Sequence, residues 1–355
     1  MDGKTLRVGI IGFGFAGTTF HAPLIRTTPG MEIAAVSSSD AGKVHAALGS
    51  GVTVYGDARA LIDDAGVDLV VIASPNTTHY QLAALALDRG RHVVVDKPFT
   101  ATLAEAEDLA RRAQATGVLL SVYHNRRWDS TTRTGQRILA SGMLGELRHA
   151  SMHFDRFRPD PTGRWKEDAD ALGGVWMDLG PHLLDEALLY FGMPEAIQAD
   201  IAGLRPGTRA DDIFQVRLRY GDALRGLRVD LGASMLGAIP RPRLTLQGTR
   251  GSYAKQGLDP QEAQLKAGAL PDGDAAAWGA DSEAGIALIE AEGALERIEV
   301  PTENGAYPEY YRQVRDAILG HGPNPVPAEQ AIRVMRLLEA GRRSSDERRE
   351  IALTA

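Results

Sequence analysis

Three short segments combine residue types able to move protons or hold phosphates. Asp178 and His182 stand four apart in Gly173-Gly174-Val175-Trp176-Met177-Asp178-Leu179-Gly180-Pro181-His182, so on a helix they share a face. A carboxylate beside an imidazole orients the ring and raises its basicity, which suits proton transfer to or from an alcohol. A plainer reading of the same pair is a helix N-cap by Asp178 and a surface histidine. Pro181 suits a first helical turn and would put the pair near the helix start. Lys97 lies in Asp96-Lys97-Pro98, where an ammonium can hydrogen-bond a substrate oxygen and stabilise alkoxide charge, although a lysine after a strand is usually just solvated. Gly12-Phe13-Gly14-Phe15-Ala16-Gly17 fits G-x-G-x-x-G, whose glycines let the backbone turn tightly and approach a pyrophosphate at a helix N-terminus.

The expression G-x-G-x-x-G is weak when bare, so its neighbours matter. About twenty residues on, where such folds commonly carry an acid for the adenosine ribose, stands Ser37-Ser38-Ser39. Small hydroxyl residues leave room for a 2′-phosphate that Lys43 can neutralise. Asp40 complicates this, and the serines and Asp40 equally suit capping of the next helix. Ser74, Pro75 and Asn76 follow a strand-like run; Asn76 can bond a cofactor ribose or carboxamide, or cap the helix that follows. His79, in that helix's first turn, also reads as an ordinary polar residue.

The elements that must position these residues alternate regularly at first. Strand-like runs at Leu6–Ile11, Ile33–Val36, Val52–Tyr55, Leu69–Ala73, Val93–Val95 and Val118–Val122 flank helix-like runs, among them Ala16–Thr27, Thr77–Arg89 and Leu103–Ala115. Six such strands predict a doubly wound parallel α/β sheet, the Rossmann arrangement, over residues 1–126. That context lifts the glycine motif above a chance match. After a helix near Thr132–Ala140, the pattern changes to a long strand at Leu147–Phe157 and a helix at Asp178–Phe191. Strand-like runs follow, including Phe214–Tyr220 and Leu224–Leu231, and two helices at Tyr307–Leu319 and Ala328–Arg343 close the chain. Residues 127–355 are therefore expected to form an α+β domain with an open, mainly antiparallel sheet. Gly268–Ala284 reads as a surface loop, and the polar tail from Ser344 as a frayed end.

At 355 residues the chain is long enough for two domains, and its 44% apolar and 24% charged residues suit a globular protein. A net charge of −7 argues against general attraction to nucleic acid or anionic membrane. There is no cysteine, which excludes disulfides, thiolate metal sites and cysteine nucleophiles. No metal-ligand cluster stands out in the sequence. No apolar run approaches a membrane span, and the start of the chain reads as strand rather than leader, so a cytoplasmic location is expected.

Together the glycine motif, Asp96-Lys97-Pro98 and the Gly-Gly…Asp178…His182 segment resemble, in order and spacing, the glucose–fructose oxidoreductase/inositol dehydrogenase/rhizopine-catabolism (Gfo/Idh/MocA) family. The resemblance covers nearly the whole chain. Phe20-His21-Ala22-Pro23-Leu24-Ile25, His124-Asn125-Arg126-Arg127-Trp128-Asp129, His153-Phe154-Asp155-Arg156-Phe157 and Gly257-Leu258-Asp259-Pro260-Gln261-Glu262 look like its NADP-linked inositol dehydrogenase-like subgroup. The resemblance implies Lys97 as the catalytic lysine and Asp178 and His182 as an Asp/His pair with His182 as acid/base. Ser74, Pro75, Asn76, His79 and Pro98 would line the cofactor, with Lys97-Pro98 often cis. Arg126, and Asn125 with it, would lie beside the nicotinamide, and Asp155 and Trp165 in the substrate cleft wall; Trp165 equally suits a core. The expected function is hydride transfer between a nicotinamide, NADP rather than NAD, and a polyol or sugar-like alcohol, inositol-type favoured. A homo-oligomer is expected. A cofactor-binding sensor without turnover should lack one of Lys97, Asp178 and His182. A nicotinamide-dependent glycosidase, the other rival, would release no reduced cofactor.

Overall fold

The computed structural model describes residues 5–163, 167–271 and 277–353. The chain divides into two compact units. Met1–Asn125, Gln261–Trp278 and Ala306–Ile332 form the first; Arg126–Pro260, Gly279–Gly305 and Arg333–Ala355 form the second. The single boundary expected after residue 126 is thus an interleaved division. Two later segments return to the first unit because they complete its packing.

In the first unit the strands are β1 (Leu6–Ile11), β2 (Met31–Ser37), β3 (Thr53–Tyr55), β4 (Leu69–Ile72), β5 (His92–Val95) and β6 (Leu120–Val122). All pair in parallel, in the order β3-β2-β1-β4-β5-β6. Every residue of β4 is fully buried, as expected of a strand covered on both faces. Order reverses between β1 and β4, and the crevice at the carboxyl ends of these strands is where such sheets bind ligands. The helices are α1 (Ala22–Arg26), α2 (Ala41–Leu48), α3 (Ala58–Asp63), α4 (His79–Asp88) and α5 (Leu103–Thr116). The run expected as one regular helix over Ala16–Thr27 contains a π-helical segment, Gly17–His21, before α1. From later in the chain, Val326 accepts the Val122 N–H (3.1 Å), and Asn324 donates to Leu120.

The second unit holds α6 (Ser130–Ser141), β7 (Leu147–Asp155), α7 (Val175–Phe191), β8 (Ala196–Ala202), β9 (Ile213–Arg219), β10 (Arg228–Ser234), β11 (Leu244–Gly248) and β12 (Gly251–Lys255). After α8 (Gln261–Lys266), which belongs to the first unit, come β13 (Gly285–Ala291) and β14 (Ala294–Val300). Then α9 (Pro308–Ile318), α10 (Ala328–Glu347) and β15 (Ile351–Ala352) close the chain. The nine-stranded sheet runs β14-β13-β12-β11-β7-β10-β9-β8-β15, and every pair but β7–β10 is antiparallel. One face of this sheet buries Phe154, Phe214, Val229 and Leu246, and α7 packs against β7, β9 and β10. Trp176 sets its ring edge-on to Phe214 at 5.0 Å and donates Nε1–H to Leu338 O.

The tail expected to fray from Ser344 is instead ordered. Ser344 is fully buried, its hydroxyl accepting the Ala199 N–H at 2.9 Å and donating to Arg349 O, while β15 adds to β8. Its polar groups are satisfied by backbone partners, which composition alone does not reveal. Among the described residues no helix is long and apolar enough to cross a membrane.

Candidate functional site

The glycine motif sits in the turn from β1 into the following helix, and each glycine has a different reason to be there. Gly12 has φ +94°, and a Cβ on it would lie 2.7 Å from Ala73 O at the end of β4. A Cβ on Gly17 would lie 2.2 Å from Gly12 O, so only glycine lets the helix pack on the turn. Gly14 faces open space, with no atom within 4 Å of the Cβ position. Gly12 thus makes the turn, Gly17 allows the close packing, and Gly14 leaves open space beside the loop, as the G-x-G-x-x-G pattern requires. Phe13 is buried; Phe15 is 53% exposed, with its ring edge-on to Phe20.

At the end of β2, Ser37 is buried and its carbonyl accepts the Gly12 N–H at 3.1 Å. Ser38 Oγ accepts the Asp40 N–H, and Asp40 caps α2 by accepting the Lys43 N–H at 2.8 Å. The helix cap is therefore Asp40, which removes the capping role from the serines and turns Asp40 to its own helix. Lys43 Nζ reaches back to donate to Phe13 O at 2.9 Å, beside the glycine loop.

Beyond β4, Ser74 and Thr78 hydroxyls meet at 2.6 Å, and Asn76 opens a short 3-10 turn in which no side chain serves as a cap. His79 is almost fully buried rather than an ordinary polar residue. Its Nδ1 lies 2.9 Å from Pro98 O and its Nε2 3.0 Å from Ser74 O, so the ring sits between the chain ends beyond β4 and β5 and, when neutral, donates its single N–H to one of the two carbonyls. Burial pushes its pKa below the usual histidine value, against the pull of Asp96 and the carbonyls.

Lys97 follows β5, half-buried, and the Lys97-Pro98 bond is cis. Its N–H donates to Asp96 Oδ1 at 2.8 Å. Asp96 Oδ2 faces Nε2 of the fully buried His21 at 3.8 Å, and His21 Nδ1 meets the Tyr311 hydroxyl at 2.6 Å. Burial works to raise the Asp96 pKa, but His21, Lys97 and His79 together hold the carboxyl below its ordinary range. His21 lies in a motif visible in the sequence. Its partner Tyr311, 290 residues away, had no signal there.

In the second unit α7 begins at Val175, three residues before the expected start. Gly174 is the N-cap at φ +101°, and a Cβ there would meet Asp211 Oδ2 at 2.7 Å. The Asp211 carboxylate accepts the Trp176 N–H at 2.6 Å, and its carbonyl accepts the Val175 N–H. The cap comes from a residue remote in sequence, so Asp178 is not an N-cap, and His182 is buried rather than a surface histidine. Pro181 correspondingly lies inside the helix, not in its first turn. Lacking an N–H, it leaves the Met177 carbonyl without the usual intrahelical donor. Further along, Arg127 forms a two-point ion pair with Asp185, and Arg243 pairs with the buried Glu186.

The remaining candidates fall in varied settings. Asn125 is buried; Arg126 is buried, pairs with Asp129 at 3.2 Å and lies 4.9 Å from the Phe154 ring centroid. Asp155 is held by two 2.7 Å bonds from the Arg241 guanidinium and one from its N–H, so both oxygens are engaged. That arrangement is a structural ion pair and gives no support to a place for Asp155 in a substrate cleft. Trp165 lies outside the described residues.

Residues 6–124 match the oxidoreductase family's NAD-binding Rossmann fold, and residues 136–353 its C-terminal alpha/beta domain. The Escherichia coli K12 protein called uncharacterized oxidoreductase YdgJ is 49% identical over 98% of this chain and 99% of its own. The NADP(+) scyllo-inositol 2-dehydrogenase IolW of Bacillus subtilis is 35% identical over 98% of this chain and 96% of its own. A solved Yersinia pestis structure, provisionally described as an oxidoreductase, superimposes with a TM-score of 0.93 at 48% identity, covering 99% of this chain and 98% of that one. The chain belongs to the Gfo/Idh/MocA oxidoreductases, with an NAD(P)-binding Rossmann domain followed by the family's C-terminal α/β domain.

Proposed function

We propose that this oxidoreductase interconverts a secondary alcohol and its ketone on a cyclic polyol or related sugar, using NADP in preference to NAD. The observation that carries the reading is the start of α7. Asp211 caps the helix, so the Asp178–His182 pair has no capping duty and its i,i+4 spacing holds it on one helical face. Gly12–Gly17 would hold the pyrophosphate, Ser38 and Lys43 the adenosine end, and Ser74, Asn76 and Pro98 the nicotinamide half. When bound, the nicotinamide supplies the two-electron donor or acceptor.

The residues of this chain supply proton handling and placement. Neutral His182 accepts the hydroxyl proton at a ring nitrogen in oxidation and returns it in reduction. Asp178, one turn earlier, orients the ring and favours the imidazolium that forms. Lys97 is the candidate donor to a substrate oxygen, where an ammonium would stabilise negative charge. His79 and Asp96 hold the backbone on either side of Lys97. All three reactive residues are present, which favours an enzyme over a sensor. The inositol class is supported by the names of two relatives: IolW, and a Saccharopolyspora erythraea inositol 2-dehydrogenase 36% identical over 40% of this chain.

The test is a cofactor-linked screen of inositols, aldoses and keto sugars, followed by Lys97→Ala and His182→Ala on the best substrate. Each variant should lose at least about a hundredfold in turnover while its NADPH affinity changes much less. Near-normal turnover in both would refute the assignment. Product formed without net release of reduced cofactor would favour the glycosidase reading.

A further inference from the structure

We propose that α8 contributes a phosphate-binding lysine to the dinucleotide site: Lys266 holds the cofactor's pyrophosphate, while Lys43 holds the 2′-phosphate that distinguishes NADP. The proposal rests on the reading of Gly12–Gly17 as a dinucleotide loop and adds a residue about 250 positions downstream of it.

Three observations carry it. First, Lys266 Nζ lies 5.5 Å from the centroid of the Phe15 ring, and Lys43 Nζ lies 5.9 Å from that of Phe13 while donating to the Phe13 carbonyl. Two ammonium groups therefore stand at the residues on either side of Gly14, the glycine whose Cβ direction is open. Second, α8 is firmly placed. It packs against the Gly17–His21 segment, and the buried Gln261 Oε1 accepts both the Trp278 Nε1–H (2.9 Å) and the Tyr307 N–H (2.7 Å). Third, the Lys266 side chain is 48% exposed, and its ion-pair partner is Glu262, one turn back on the same short helix. An i,i+4 pair whose lysine is solvated is weak and yields to a stronger anion.

The two lysines divide by position. Phe15 opens the helix whose N-terminus attracts the pyrophosphate, so Lys266 serves a group common to NAD and NADP. Lys43 belongs to α2, which follows the ribose-reading end of β2, so it serves the group that only NADP carries.

Binding separates these roles without any turnover. NADH and NADPH are titrated by cofactor fluorescence against wild type, Lys266→Ala, Lys266→Met, Lys266→Arg and Lys43→Ala, with thermal midpoints recorded for each. Lys266→Ala should weaken both cofactors about tenfold and equally, the size of one charge-assisted hydrogen bond. Lys266→Met, which keeps the aliphatic stem over Phe15, should lose as much, and Lys266→Arg should retain most of the affinity. Lys43→Ala should weaken NADPH alone. The proposal is overturned if Lys266→Ala binds both cofactors within twofold of wild type, if it loses NADPH selectively, or if Lys266→Met binds normally. A wild-type protein that binds neither cofactor would instead overturn the reading of the glycine loop itself.

Discussion

Gly14→Ala and Gly17→Ala add the same methyl group three residues apart, and the structure assigns them opposite consequences. At Gly17 the new carbon would lie 2.2 Å from the Gly12 carbonyl oxygen, more than 1 Å inside ordinary contact. That oxygen belongs to the backbone of a tight turn and cannot rotate away. Forcing the helix off the turn should cost about 3 kcal/mol, at the upper end of typical overpacking penalties. For a unit of this size that lowers the thermal midpoint by about 6–12 °C. At Gly14 no atom lies within 4 Å, and φ is not in the left-handed region. The substitution there should leave stability unchanged or raise it by up to about 1 kcal/mol, because it narrows the unfolded ensemble. The methyl nonetheless projects into the clear approach to the loop, so NADPH affinity should fall by at least about tenfold. Thermal denaturation and NADPH fluorescence titration of both variants give the test. If Gly14→Ala binds NADPH as wild type does, the open side of the loop is not the phosphate seat. If Gly17→Ala melts like wild type, the close packing inferred from the turn is wrong.

Cofactor choice and acid stability give two further expectations. Ser38→Asp should move kcat/KM preference from NADP toward NAD by placing a carboxylate where the ribose hydroxyls are read; a wild-type enzyme that already prefers NAD would contradict this. His153, half-buried and close to Arg241, has its pKa pushed down to about 4 from an ordinary histidine value of about 6.5 by loss of solvent and by the guanidinium. On acidification the unfolded chain takes up this proton first, so the contribution is intact above about pH 6.5 and is lost as pH falls toward 4. The loss is about 3 kcal/mol at most, and the depressed pKa of His79 acts in the same direction. Urea midpoints at pH 7.5 and 4.5 should fall less in His153→Gln than in wild type; an equal fall would assign the acid sensitivity to other groups.

Features whose causes are local can be read from the order of residues alone. The six parallel strands were legible because β4 is buried on both faces and reads as an unbroken apolar run. The glycine loop and Asp96-Lys97-Pro98 were legible because turn geometry depends on the residues within the turn. The remaining features depend on contacts between distant segments. The start of α7 is set by Asp211, 35 residues beyond Trp176, so the helix signal near Asp178 gave the element but misplaced its cap and the setting of Pro181. The strand expected at Leu224–Leu231 begins only at Arg228, because Asp222–Leu224 form a 3-10 turn. The polar tail is ordered because Ser344 finds partners in Ala199 and Arg349. The burial of His79 has no local signal, because Ser74 O and Pro98 O come to either side of its ring only when β4 and β5 lie side by side. Lys266 carried no signal toward the glycine loop, since the interaction exists only once α8 packs on Gly17–His21. Periodicity and turn chemistry report forces acting over a few residues. Caps, buried polar pairs and cations brought beside a distant loop depend on which segments the fold places together.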